Sequence, residues 1–67
     1  MMKNRIGENA GLVWKTISAS GKTMGYKALK KTLKLTDKDL FAALGWLARE
    51  DKVYFDESVE DTIIGLA

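Results

Sequence analysis

Apolar positions recur along this chain at two different periods. Ile6, Ala10, Val13 and Ile17 follow the i, i+4, i+7, i+11 spacing of a buried helical stripe, with Trp14 flanking it. The spacing predicts a first helix over Ile6–Ala19. SASGK, residues 18–22, carries the stop signal, with Gly21 past the last turn. Leu12 falls on the far side of the stripe, either as an ordinary surface leucine or as part of an interface. Thr23 and Met24 suffice only for a short edge strand. In YKALKKTLK the residues Ala28, Leu29, Thr32 and Leu33 cluster on one face, while Lys27, Lys30, Lys31 and Lys34 fall largely on the other. That pattern predicts a short amphipathic helix over about 25–33.

Leu35 reads as a buried plug between helices. Thr36 opens TDKD, a capping-box pattern with Asp39 at the third position in place of the usual Glu or Gln. Asp37 and Asp39 also suit the positive end of a helix. The third helix is predicted over Asp37–Asp51, with Leu40, Ala43, Leu44 and Leu47 as its core face. Then the period changes to two. In KVYFDE, Val53 and Phe55 point to one side, and Tyr54 and Asp56 to the other. DTIIGL is a second β-rich run, and ESVED joins the two into a hairpin whose turn lacks Gly or Asn. Three helices, a short turn at KLTDKD and a C-terminal hairpin describe an α+β fold, a winged helix-turn-helix, in a single domain over 1–67. A three-helix bundle with a disordered tail is the alternative, against which the VYFD alternation and the TIIGL run argue.

Composition narrows the chemistry. Sixty-seven residues lie near the lower limit for a chain that folds alone, so a thin stability margin and oligomerisation are expected. There is no Cys and no His, which leaves no disulfide, no thiolate metal site and little of the usual zinc or general-base chemistry. The acidic pairs Glu50/Asp51 and Glu60/Asp61 are sequence neighbours whose side chains diverge, and no phosphate-cradling glycine motif is present. The expectation is therefore no enzyme, no cofactor and no small-molecule ligand. No run reaches the length of a membrane-spanning helix, so a soluble cytoplasmic protein is expected.

The net charge of +2 conceals an asymmetry. Residues 1–38 carry +7 and residues 39–67 carry −5. One end can serve phosphate binding, and the two ends together can attract another copy of the chain. On the third helix, steps of 100° place Lys38, Ala42, Gly45 and Arg49 opposite the core face. Phe41 and Ala48 lie on one flank, and Asp39, Trp46 and Glu50 on the other. In DNA-binding relatives of this architecture that outer face enters the major groove. Here it offers Lys38 and Arg49 with small apolar residues between them, flanked by Asp37 and Asp39. The hairpin turn is acidic as well, with Asp56, Glu57, Glu60 and Asp61. Gly45 costs a helix about 1 kcal/mol relative to Ala. It either relieves crowding inside the domain or leaves a smooth strip on which another backbone can lie. Trp46 either packs inside the domain or joins Leu12 or Phe41 in an apolar patch.

IGENAGLVWKTI (residues 6–17) and ALGWLAREDKVYF (residues 43–55) resemble the two signature stretches of a small bacterial winged helix-turn-helix family of uncharacterised function. The resemblance spans nearly the whole chain. It implies the fold and a bacterial source, admits a homodimer, and brings no established ligand or reaction. Two departures stand out. Lys34 occupies the place where such domains usually end the second helix with Gly, which predicts a looser turn. The wing turn is acidic and lacks Gly.

Two functions remain. The first is a DNA-binding or transcription-regulatory module with non-specific phosphate contacts from Lys22, Lys27, Lys30, Lys31, Lys34, Lys38 and Arg49. The second is a protein-interaction domain, most simply a homodimer, with Leu12, Phe41, Gly45 and Trp46 at the interface.

Overall fold

The computed structural model describes residues 2–57 and 60–67. Their elements run α1 (Met2–Ala19), β1 (Thr23–Gly25), α2 (Tyr26–Leu33), α3 (Asp37–Arg49), β2 (Val53–Glu57) and β3 (Thr62–Leu66). Of the hairpin connection, Ser58 and Val59 lie outside the described residues. The sheet is antiparallel with strand order β1-β3-β2, so the short first strand completes the wing as its far edge. Met24 and Phe55 flank Ile64 in register. Ile64 is thereby fully buried at the centre of the sheet, where it joins the helical core.

That core is the one the periodicities describe. Ala10, Val13 and Ile17 of α1 meet Leu29 of α2 and Leu40, Ala43, Leu44 and Leu47 of α3, with Val53 and Ile64 from the wing. Burying such side chains contributes about 1.5–3 kcal/mol each, which is why two leucine-rich faces suffice to place α3 against α1. Leu35 is half-buried against this cluster, a partial plug. Asn9 is the buried polar residue of the α1 stripe.

The structure corrects several expectations. The first helix begins four residues before Ile6, at Met2. On α2, Ala28 and Thr32 are exposed, and the buried side is formed by Leu29 with half-buried Tyr26 and Leu33. An eight-residue helix buries only a narrow stripe, and that stripe lies nearer to Tyr26 than the sequence pattern indicated. The third helix ends at Arg49 rather than Asp51, because its last carbonyls are used in a reversal. Asp51 N–H bonds Ala48 C=O at 3.0 Å and Lys52 N–H bonds Leu47 C=O at 2.9 Å. This is a Schellman motif with Asp51 in the left-handed region at φ 56°. The same motif ends α1, where Gly21 takes φ 91°.

The turn after α2 is not loose. Lys34 itself adopts the left-handed conformation at φ 56°, and its N–H bonds Lys30 C=O at 2.8 Å. The chain reverses as tightly as with Gly, at a conformational cost of about 1–2 kcal/mol that packing of the flanking helices offsets. Thr36 caps α3 as the capping-box pattern predicts, accepting from Asp39 N–H at 3.1 Å. Asp39 does not complete the box, and instead approaches Arg5 of α1 at 3.9 Å. That exposed contact is too long to contribute much.

Candidate functional site

In a winged helix the outer face of α3 and the wing beside it form the working surface. Here Phe41, one residue past the buried Leu40, stands 61% exposed. Gly45, one turn on, is also exposed, and a Cβ built there would meet no atom within 4 Å. Crowding inside the domain therefore gives no reason for the glycine, and the strip it leaves is open. Opposite them the wing supplies Phe55, 46% exposed. The alternation in KVYFDE put Val53 and Phe55 on one side, and both do face that way. Val53 reaches the core, while Phe55 lies further along the hairpin, beyond the core's edge. Phe41, Leu44, Gly45 and Phe55 thus line a groove of about 490 Å³ between α3 and the wing, edged by Glu57 and Asp61.

The groove's upper wall is Tyr26, at the start of α2. Its ring stacks on Phe41 with centroids 5.2 Å apart and planes 22° from parallel. Such an aromatic pair contributes about 0.5–1.5 kcal/mol beyond its area. The Tyr26 hydroxyl donates to Asp37 Oδ1 at 2.7 Å, and Lys30 Nζ approaches the same oxygen at 3.0 Å. Burial, then the Asp37 hydrogen bond, then repulsion from that carboxylate push the phenol up to about 12. The Tyr26 hydrogen bond first, and Lys30 second, hold Asp37 below the ordinary carboxylate range. The first turn of α3 is thus tied to α2 by three side chains.

Tyr26 and Asp61 also border a second concavity, a shallow basic one of about 570 Å³. Lys27, Lys30, Lys31 and Lys34 line it, so the α2 lysines form one face as their spacing predicts. Lys22, Lys38 and Arg49 lie outside this concavity. Lys22 sits at the end of α1 with φ 76°, Lys38 is exposed on the first turn of α3, and Arg49 is exposed on its last. Seven cations were the candidates for DNA contact. Four are together, and one of the four, Lys30, is already engaged by Asp37.

The candidate apolar patch is also divided. Trp46 is 37% exposed but points to the α1 side of α3, where it lines a third groove with Trp14, Gly7 and Gly11. Leu12 is 50% exposed and borders none of the three grooves. Of the four residues grouped as one interface, Phe41 and Gly45 line the same groove. Trp46 and Phe41 lie on opposite flanks of α3, as the 100° steps had placed them, so a single patch required them to meet across the helix.

No spacing in the sequence marks Tyr26, Phe55 or Asp61 as groove residues. Tyr26 stood next to Gly25 at a helix start, and no periodicity linked it to Phe41. Asp61 read as part of a solvated acidic turn. It lies instead against the start of α2. The three helices, the sheet order β1-β3-β2 and the short α2–α3 turn are those of a winged helix, and the model of a winged helix-turn-helix domain family (DUF2582) matches residues 1–66. The chain belongs to that family. Membership in DUF2582 establishes the fold and agrees with the resemblance carried by the IGENAG and ALGWLARE stretches. A search of curated proteins finds none that matches. Among the described residues no helix is long and apolar enough to cross a membrane.

Proposed function

We propose that this domain is a regulatory winged-helix module that works by protein association through its α3–wing face, with a second copy of the chain as the partner. The observation that carries this reading is the character of the face itself. Where a DNA-reading winged helix presents Arg, Lys, Asn or Gln to base edges, this one presents Phe41, Gly45 and Phe55 along the groove and keeps Lys38 and Arg49 to the two ends of α3. Its borders are acidic at Glu57 and Asp61, which repels phosphate. Exposed aromatic side chains around a smooth strip are what protein interfaces bury at their centres. A second copy fits for two reasons. A chain of 67 residues gains from doubling a small core. The basic α2 face lies next to this groove, across Asp61, and the acidic Glu57 and Asp61 edge it, so two-fold pairing over it can set opposite charges against each other at the rim.

Light scattering over a range of concentrations tests this. A mass that rises to twice the chain's, and that Gly45→Glu returns to one chain without loss of helical signal, is the expected result. A strict monomer at all concentrations overturns it.

The lysine face favours a second reading, weak binding of duplex DNA through phosphates alone. Lys27, Lys31 and Lys34 would supply it, with Lys38 as an outlying contact. Such binding is sequence-blind and falls steeply with salt. An NMR titration with random duplex discriminates the two readings. Shifts confined to α2 amides support the phosphate contact, and an unperturbed α2 removes it.

A further inference from the structure

α2 begins without a cap of its own. Its N-cap residue is Gly25, which has no side chain to accept from the first-turn N–H groups. The acceptor comes instead from the wing. Asp61 Oδ2 lies 3.4 Å from Lys27 N, and Oδ1 accepts from Thr62 N–H at 2.9 Å. One carboxylate thus bridges the start of α2 and the start of β3. The fit is close: a Cβ at Gly25 would lie 2.6 Å from Asp61 Oδ2, so a side chain there would displace the carboxylate. Strand pairing sets the same two segments side by side, since Gly25 pairs with Ile63.

We propose that Asp61 is a positioning residue for the α3–wing groove. By fastening the wing to α2 it holds Phe55 at a fixed distance from Phe41 and Tyr26, so that the groove is formed before any partner arrives. Asp61 borders both the apolar groove and the lysine-lined concavity, and so stands in the wall between them. A groove already shaped does not need to be ordered on binding, and affinity rises accordingly. The second half of this inference rests on the self-association proposed above. The first half, the fastening, does not.

Three variants and two measurements test it. Asp61→Ala removes the carboxylate. Gly25→Ala places a methyl group where the carboxylate sits and drives it off. The double variant combines them. Residue-level amide exchange by NMR should show Lys27 and the wing amides of Tyr54–Glu57 and Ile63 exchanging on the order of fivefold faster in either single variant, the size of a lost cap. The core amides of Leu29 and Leu40 should keep their protection. The double variant should be no worse than Asp61→Ala alone, because the methyl group then meets no carboxylate. Additive effects, or unchanged wing exchange in Asp61→Ala, overturn the fastening. If Asp61→Ala unfolds, Asp61→Asn gives the same readout, since it keeps an acceptor oxygen without the charge and should shift exchange by less. Measuring exchange also in the Gly45→Glu background separates the fastening from association. With the fastening established, Asp61→Ala should weaken the dimer by a similar factor. A dimer of unchanged affinity with a loosened wing overturns the positioning role while leaving self-association standing.

Discussion

The outward faces of α2 and α3 carry opposite materials. α2 shows Lys27, Lys31 and Lys34, while α3 shows Phe41, Gly45 and half-exposed Ala42 along its middle, with Lys38 and Arg49 exposed only at its two ends. In a helix-turn-helix that reads DNA the helix in the groove needs hydrogen-bonding side chains, and its companion needs only to touch the backbone. In this molecule the companion helix carries lysines and the groove side of α3 is apolar. The contrast teaches that the fold and the chemistry of its working face are separable. The leucines of α3 build the same three-helix frame whichever residues stand on the other side of the helix.

The sharpest way to break this contrast is to cut α3 on each face in turn. Leu40→Ala removes a fully buried side chain and should cost about 2–5 kcal/mol, enough to unfold much of a domain this small. Phe41→Ala, one residue along, should change stability far less, losing chiefly the Tyr26 stack of about 1 kcal/mol, yet should disrupt self-association. Chemical denaturation and light scattering on both variants check the pair. If Phe41→Ala costs as much stability as Leu40→Ala, the outer face is part of the core and the contrast fails.

Gly45→Ala comes next in size and should move the two readouts in opposite directions. A methyl group at this position finds open space, so the helix should gain up to about 1 kcal/mol. In the proposed dimer the same methyl group would roughen the strip offered to the partner, and association should weaken. A more stable chain that associates as well as before would show that the partner does not use this strip.

How much of this was legible in the sequence follows from the range of each signal. Leu40, Ala43, Leu44 and Leu47 are buried as their spacing requires, because side-chain direction on a helix is a local consequence of its 3.6-residue turn. Thr36 was legible as a cap for the same reason. Phe41 and Gly45 were legible as outward-facing, by elimination from the core stripe. Their neighbours across the groove were not. Tyr26 and Phe55 reach Phe41 from other elements, and no spacing encodes a meeting between elements. Asp61 is the clearest case, since its partner Lys27 lies 34 residues away. Its carboxylate looked like one more charge in an acidic turn. Gly25 held a clue to it, because a glycine opening a helix without a capping side chain requires an acceptor from elsewhere. Lys34 and Asp51 were hidden differently. A Lys does not announce a left-handed backbone and an Asp does so only weakly; here the reversals that follow α2 and α3 impose it.

The smallest effect sharpens the contrast at the seam between the two faces, where Tyr26, Lys30 and Asp37 join α2 to α3. Asp37 has a folded-state pKa lowered from 3.8, so its contribution is complete above pH about 4 and is lost as the pH falls through the lowered value. Tyr26 is raised from 10.0 to about 12, so its contribution is complete below pH 10 and is lost as the pH rises through about 12. Stability should therefore hold a plateau between these limits, with the seam loosening outside it. Because Asp37 is exposed, the loss on the acid side should be slight. The alkaline side offers the cleaner measurement. Tyrosinate absorbance should show one phenol titrating near 12, and Asp37→Asn should bring that midpoint down, since the carboxylate then neither accepts as strongly nor repels the phenolate. Burial against Phe41 remains in that variant, so the midpoint should stay above 10. A midpoint that does not move on Asp37→Asn would mean that the hydroxyl is not held by this carboxylate, and that the stack on Phe41 alone orients the wall of the groove.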